Sequence, residues 1–457
     1  MSTWFKEKFL ERAKEVDYLD FIVYSINEVE VAYRNNSFEE NIAKNTVYAI
    51  RAFNKGAWSI RSTYNPKAVS KYIDLVVSDA KKLSAKMKPM EWHGLKRPVV
   101  GRFRIGKDEV HSTDKIREIA EVLGDRLKDR GCSESEVIIT RSRVLKEYVS
   151  NEGANAIEDK STVEIAMFGV AYGYRKGIAG EIIGFSGSLN DISEKVLLSI
   201  ADKVSERTKS VAYAKHMHPL RRGLKWNVVF DHTTSGAIFH ELTHLLEADT
   251  IRMKPKIPLR ITTTDLTIID DPTIPWGYGS YAFDDEGNTI PWGYGSYAFD
   301  DEGVYGRRKT LIENGELVSL MHTRLTSKMW NVEPTGNARG IFHKPKALMS
   351  NIVVKPSDWS LQELIEETRE GIYVEGLVKA DISSEGVLTL VPEAGWIIEK
   401  GELREPVVVN YIKLQVPKHL NFIEGLGKEL KQRPSVEKGH KVSEFAPPIK
   451  IRSVVVG

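Results

Sequence analysis

Residues 226–249 read "WNVVFDHTTSGAIFHELTHLLEAD". The short apolar run "WNVVF" has the make-up of a buried strand, and "DHTTSG" is a turn that leads into a helix. The helix carries His240, Glu241 and His244 in the pattern HExxH. Positions four apart lie on one helical face, about one turn apart, so two imidazoles can grip one metal ion. Glu241 beside them is placed as a general base toward water at that ion. Ile238, Leu242 and Leu245 form the stripe expected to pack on a sheet, while His240, His244 and Glu247 fall on another side. A merely solvated face would more typically carry Lys–Glu pairs than two histidines bracketing a glutamate.

Working outward, the chain from about Leu224 is mostly strands with turn signals. "TLIENGELVSLMH" places Asn314-Gly315 at a hairpin turn, and "GWIIEKGELREPVVV" repeats the arrangement at Lys400-Gly401. One helix, "DWSLQELIEETRE", interrupts them, with Asp358 or Ser360 available as cap. Upstream, one order of elements occurs twice. "WFKEKFLERAKEV" reads as a helix, followed by strands through "LDFIVYSI", "EVEVAYR", "NTVYAIRAF" and "GAWSIRST", then a helix from "NPKAVSKYIDLVV" capped by Asn65. After a Pro- and Gly-punctuated linker, "KPMEWHGLKRPVVGRFRIG", helix, strands and helix follow again. The expected fold is α+β: two helix–strands–helix units at 1–95 and 106–218, then a β-rich domain at 222–457 that carries the HExxH helix.

Composition narrows the function classes. A hydrophobic fraction of 41% and a charged fraction of 28% over 457 residues describe an ordinary globular chain of two or three domains. Lys+Arg 65 against Asp+Glu 63 offers no electrostatic footprint for nucleic acid. No run approaches the length of a membrane span, and the charged N-terminus lacks the apolar core of a signal peptide; a cytoplasmic protein is expected. The single cysteine, Cys132, excludes an intrachain disulfide and a cysteine-rich zinc site. His216 and His218 in "AKHMHPL" read as loop residues, and His232 as part of a turn. "TIPWGYGSYAFDDEG" occurs at 273–287 and again at 289–303, an exact tandem repeat. Two copies do not build a solenoid.

The chain resembles the TldD/PmbA family, zinc proteases also called modulators of DNA gyrase. The likeness runs through "NTVYAIRAFNKGAWSIRST", "EYVSNEGANA", "GAIFHELTHLLEAD", "TIPWGYGSYAFDDEG" and "GNARG…PKALMSN…KPSDWSLQELI", to the closing "IRSVVVG". It implies dimers, of this chain with itself or with a family paralogue, an enclosed cavity, a Zn²⁺ site, and cleavage of short or unstructured peptides. Two departures stand out. The family's protease subunits carry HExxxH, whereas the histidines here are four apart. The family's third ligand is a cysteine near the C-terminus, and Ser435 in "RPSVEKGHKV" stands about where it would be. A neutral serine is a poor substitute for a thiolate. The expected third ligand is therefore His440, with Glu247 second and Ser435 third. Arg339 in "GNARG" is a candidate for holding a substrate carboxylate. The competing reading is a non-catalytic partner subunit that binds peptide and shapes a shared chamber; a DNA-topology factor, suggested by the family's other name, runs against the near-neutral charge.

Overall fold

A computed structural model describes residues 3–106, 112–218, 221–274 and 293–457. The architecture is mixed α+β. The N-terminal half forms one seven-stranded sheet from β1 (Tyr18–Arg34), β2 (Ser37–Asn54), β3 (Ala57–Thr63), β4 (Val100–Ile105), β5 (Glu134–Ser150), β6 (Asn155–Tyr172) and β7 (Lys176–Phe185). Its order is β3-β2-β1-β5-β6, with β4 and β7 sharing the far edge of β6. The two units expected from the sequence are thus joined edge to edge: β1 pairs antiparallel with β5 from Asp20↔Ser150 to Arg34↔Glu136. "LDFIVYSI" and "EVEVAYR" form a single strand rather than two. The expected linker contains β4, which pairs parallel with β6.

Helices cover one side of each unit. Against β1 and β2 pack α1 (Thr3–Ala13) and α2 (Val69–Ser84), through Phe9, Ile73, Val76 and Val77. The Asn65 side chain accepts from Lys67 N–H, as a cap should, although the first turn is 3₁₀. Against β5, β6 and β7 pack α3 (Thr113–Asp129) and α4 (Glu194–Tyr213), with Ile116, Leu123, Leu197 and Val204 inward. Cys132 is buried in the same core, a packing position with no access for a nucleophile.

Among the described residues the C-terminal half has two large sheets, with α5 (His232–His244) packed between them, and a two-stranded ribbon of Ala338–Arg339 and Lys346–Ala347. One sheet is built on Leu224–Phe230, Glu370–Ile382, Val387–Glu399 and Ile449–Val456. The other contains Ile268–Asp270, Lys309–Glu313, Asn351–Val354 and a hairpin of Lys431–Glu437 with His440–Ala446. Ile238, Phe239 and Leu242 enter the core shared by both sheets, and Leu245 packs against it partly buried. Three hairpins close on the same turn chemistry. Asn314-Gly315, Lys400-Gly401 and Lys438-Gly439 all have both central φ angles positive (46° and 82°, 57° and 78°, 51° and 78°). That is the two-residue turn whose twist matches the strands on either side. The helix at Leu361–Glu366 is capped by Ser360, not Asp358. Of the tandem repeat, residues 275–292 lie outside the described residues. From the second copy, Tyr294, Ser296, Phe299, Asp300, Asp301 and Glu302 are all buried.

Candidate metal centre

The Asp231 side chain caps α5, accepting from Thr234 N–H at 2.8 Å, while its other oxygen takes Gly376 N–H at 3.2 Å from the neighbouring strand. This fixes where the helix starts, and hence where its third and fourth turns deliver His240 and His244. The helix stops at His244 with Leu245 as its C-cap. His240 is buried, Glu241 and His244 are partly exposed, and the two imidazole centroids lie 4.9 Å apart at 79°.

Each imidazole has one nitrogen committed to a carboxylate. His240 Nδ1–H donates to Glu444 Oε1 at 2.6 Å, and His244 Nδ1–H donates to Glu247 Oε1 at 2.6 Å. A carboxylate only accepts, so both Nδ1 atoms carry protons and both Nε2 atoms remain for something else. The two Nε2 atoms face the same oxygen: Glu437 Oε2 lies 3.8 Å from that of His240 and 3.9 Å from that of His244. Among the described residues these three form the cluster whose ligand atoms all lie within 4.8 Å of one another. Tetrahedral zinc with bonds of about 2.0–2.2 Å places its ligand atoms roughly 3.3–3.5 Å apart, a contraction of a few tenths of an ångström for the Glu437–histidine pairs. The donor set and its outer carboxylates fit a divalent cation.

The field in the site is negative. Burial alone would lower His240, but Glu444 and Glu437 raise it to about 9. The closeness of His240 holds Glu437 down to about 2, against its partial burial. Burial pushes Glu444 up, yet Arg433 and His240 outweigh it and leave the carboxyl below its ordinary range. Glu241 is raised, chiefly by burial.

The three residues ranked for the third ligand fall elsewhere. His440 sits directly across the hairpin turn from Glu437, but its Nδ1 accepts from Arg339 Nε and Nη2 at 3.3 and 3.1 Å, turned away from the histidine pair. Burial and then Arg339 lower it to about 3, so the ring is neutral. Glu247, just past the helix end, reaches His244 only, and at Nδ1, the nitrogen behind the ring. Ser435 Oγ donates to Glu444 Oε1 at 3.1 Å, supporting the carboxylate that orients His240. Arg433 Nη1 donates to the other Glu444 oxygen at 2.7 Å. Glu437, Glu444 and Arg433 were missed from the sequence, although the signal was present. Lys438-Gly439 is the same turn dipeptide as Lys400-Gly401, and assigning it puts Arg433, Ser435 and Glu437 on one face of the hairpin by alternation. Arg339 stacks on Tyr297 at 4.5 Å and lies 3.9 Å from Asp301. His216 and His218 are exposed, and His232 begins α5 with its Nδ1 buried and unpaired among the described residues.

Comparison with known proteins places the chain in a family. A profile described as the PmbA/TldA metallopeptidase C-terminal domain matches residues 224–291 and again 288–457. The chain belongs to the PmbA/TldD family. The two matches overlap only at 288–291, the junction between the copies of the tandem repeat. A metalloprotease of Methanothermobacter thermautotrophicus is 25% identical over 97% of this chain and 96% of its own length. A zinc metalloprotease TldD homolog of Saccharolobus solfataricus is 29% identical over 78% of this chain and 79% of its own. A metalloprotease of Methanocaldococcus jannaschii is 34% identical, over 46% of this chain and 44% of that protein. In fold, the chain is similar to a candidate modulator of a DNA gyrase from Thermotoga maritima (TM-score 0.76, 18% identity, 99% of both chains). It is likewise similar to TldE from Thermococcus kodakarensis (TM-score 0.72, 15% identity, 99% of both chains). Among the described residues no helix is long and apolar enough to cross a membrane.

Proposed function

We propose that this chain is a zinc-dependent peptidase in which His240, His244 and Glu437 hold the metal and Glu241 is the general base. The observation that carries the reading is the convergence of both free Nε2 atoms on one Glu437 oxygen, with both Nδ1 atoms already tied to carboxylates. Bound zinc would supply Lewis acidity toward a peptide carbonyl and toward the attacking water. Glu241, next in sequence to one ligand and partly open to solvent, takes the proton of that water and returns it to the leaving amine. Glu444 and Glu247 hold the two imidazoles in the tautomer that presents Nε2. Short or unstructured peptides are the substrates that suit a base only partly open to solvent. The competing reading, a non-catalytic partner, drew its support from Ser435 standing where the family has a cysteine. Glu437, two residues further on, provides the anionic donor that serine lacks.

The test pairs metal analysis with kinetics. The purified chain should carry close to one zinc per polypeptide and cleave unstructured peptides. Glu241→Gln should keep the zinc while kcat falls by about two to four orders of magnitude. A Gln variant as active as its parent would remove Glu241 from the mechanism, and a parent that binds zinc yet cleaves nothing would favour the partner-subunit reading.

A further inference from the structure

On the N-terminal side of the Lys431–Ala446 hairpin, between it and the open face of β1, β5 and β6, lies a cavity of about 400 Å³. Its wall includes His440, the cross-strand partner of Glu437. Paired Cα atoms in an antiparallel ladder are roughly 4.5–5.5 Å apart, so the cavity begins one residue pair from the candidate metal ligand. Five cations line it, Lys146, Lys160, Arg339, Lys438 and Lys441, against three carboxylates, Glu28, Glu158 and Asp301.

Two of those carboxylates are already engaged. Asp301 accepts from Gly340 N–H at 2.8 Å and faces Lys146 at 3.5 Å and Arg339 at 3.9 Å. Glu158 accepts from Ala298 N–H at 2.6 Å and faces Lys146 at 3.7 Å. Lys160 donates to two backbone carbonyls, of Tyr294 and Ser296, at 2.9 and 2.8 Å. Lys441 donates to Thr162 Oγ1 at 2.5 Å and sits 5.1 Å from the Tyr294 ring centre. Neither lysine has a carboxylate within 4 Å among the described residues, and burial lowers the pKa of both. Glu158 opposes that shift at Lys160, and Glu164 and Glu28 oppose it at Lys441, but from beyond ion-pair distance, so an anion in direct contact still relieves part of the cost of burial. The rest of the wall is apolar, with Ile26, Val144, Ile341, Phe342 and Val436. A free inorganic anion or a lone acidic side chain would leave most of that apolar wall unused, whereas the end of a peptide brings a carboxylate and a side chain together.

We propose that this cavity receives the C-terminal residue of the substrate, its carboxylate toward Lys160 and Lys441 and its side chain against the apolar wall. The assignment rests on the peptidase reading of the adjacent site. Lys441 pairs with Val436 and so lies on the face of the hairpin opposite Glu437. A chain with its carboxylate here reaches the metal site round the Lys438-Gly439 turn, and the enzyme trims a short piece from the C-terminus.

Three synthetic peptides of one sequence test this: a free acid, its C-terminal amide, and an amide whose last residue is Glu. Binding to the zinc-loaded Glu241→Gln chain is read by fluorescence anisotropy, and cleavage by the parent is read by mass spectrometry. The free acid should bind about tenfold or more tighter than the amide, and products should lack a short C-terminal piece. Lys441→Met should bring the acid-to-amide ratio toward one, and Lys441→Arg should keep it. Lys160→Met is the second variant should Lys441→Met not fold, and it should likewise bring the ratio toward one. Equal affinity for acid and amide overturns the proposal. So does a Glu-ending amide that matches the free acid, which would make the cavity a pocket for acidic side chains. A preserved acid preference without cleavage of any peptide would refute the catalytic reading and leave the cavity's role standing.

Discussion

Removing residues 275–290 takes out one 16-residue period of the tandem repeat. Because the copies are identical, the product is the same polypeptide as deletion of 288–303: one "TIPWGYGSYAFDDEG" between Pro272 and Val304. The structure says how the new junction closes. Ile274 O accepts from Gly293 N–H at 3.5 Å, and Tyr297 N–H donates to Pro272 O at 3.0 Å. In the shortened chain Ile274 is followed by Pro, Trp and Gly, so the Ile274–Gly293 contact becomes the i to i+3 bond of a β-turn, with proline at its favoured second position. The buried Tyr294, Phe299, Asp300 and Asp301 keep their places. Shortening the connection from the span 275–292 to two residues is about three halvings of loop length at roughly 0.6 kcal/mol each, a gain of about 2 kcal/mol. The shortened chain should therefore express folded, melt at or above the parent's temperature, and retain its zinc. Thermal unfolding followed by circular dichroism, with metal analysis, decides it. A melting temperature lowered by many degrees would show that the excised residues make contacts the fold needs.

At the metal centre, Glu437→Gln should cut zinc retention on dialysis sharply, while His440→Gln should leave it close to parental; the reverse result would return the third-ligand role to His440. Glu444→Gln keeps the ligands but weakens the hold on His240, and should lower zinc affinity by about 10- to 100-fold. A stability prediction comes from Glu393, which accepts from Gly180 N–H and shares Arg207 with Glu181 and Glu375. Burial raises it to about 7, with Glu181 adding to the rise and Arg207 opposing it. The folded chain thus holds this proton more tightly than the unfolded chain. Its stabilising effect is complete below about pH 4.5 and lost as the pH climbs to about 7, at most roughly 3 kcal/mol at 1.36 kcal/mol per pH unit. Glu393→Gln should flatten the stability profile across that window, and an unchanged slope would rule the group out.

What could be read from the sequence was local, and what could not was a matter of which distant segments meet. A helix at "AIFHELTH" and its buried stripe depend on residues within a few positions of one another. But "DHTTSG", read as a turn, is the Asp231 cap and the start of that same helix, because the aspartate carboxylate takes Thr234 N–H and so lets the helix begin at His232. The hairpins at Asn314-Gly315 and Lys400-Gly401 were legible for the same reason, since a two-residue turn needs only a dipeptide that tolerates positive φ. Lys438-Gly439 carries that signal too, yet Gly439 was read as slack that would let His440 swing inward. The tight turn pairs Glu437 with His440 on one face of the hairpin, and what parts the two is their partners: Glu437 faces the histidine Nε2 atoms while His440 accepts from Arg339. The remaining parts of the site had no local signature. Glu444 lies 204 residues from His240 in sequence, and only the packing of α5 on the hairpin brings them together. The joining of the two N-terminal units is of the same kind: nothing in "LDFIVYSINEVEVAYR" names β5 as its neighbour, because antiparallel partners are chosen by a whole face of side chains at once. That pairing also extends the sheet under the hairpin, so the cavity beside Glu437 follows from contacts that no single stretch of the chain encodes.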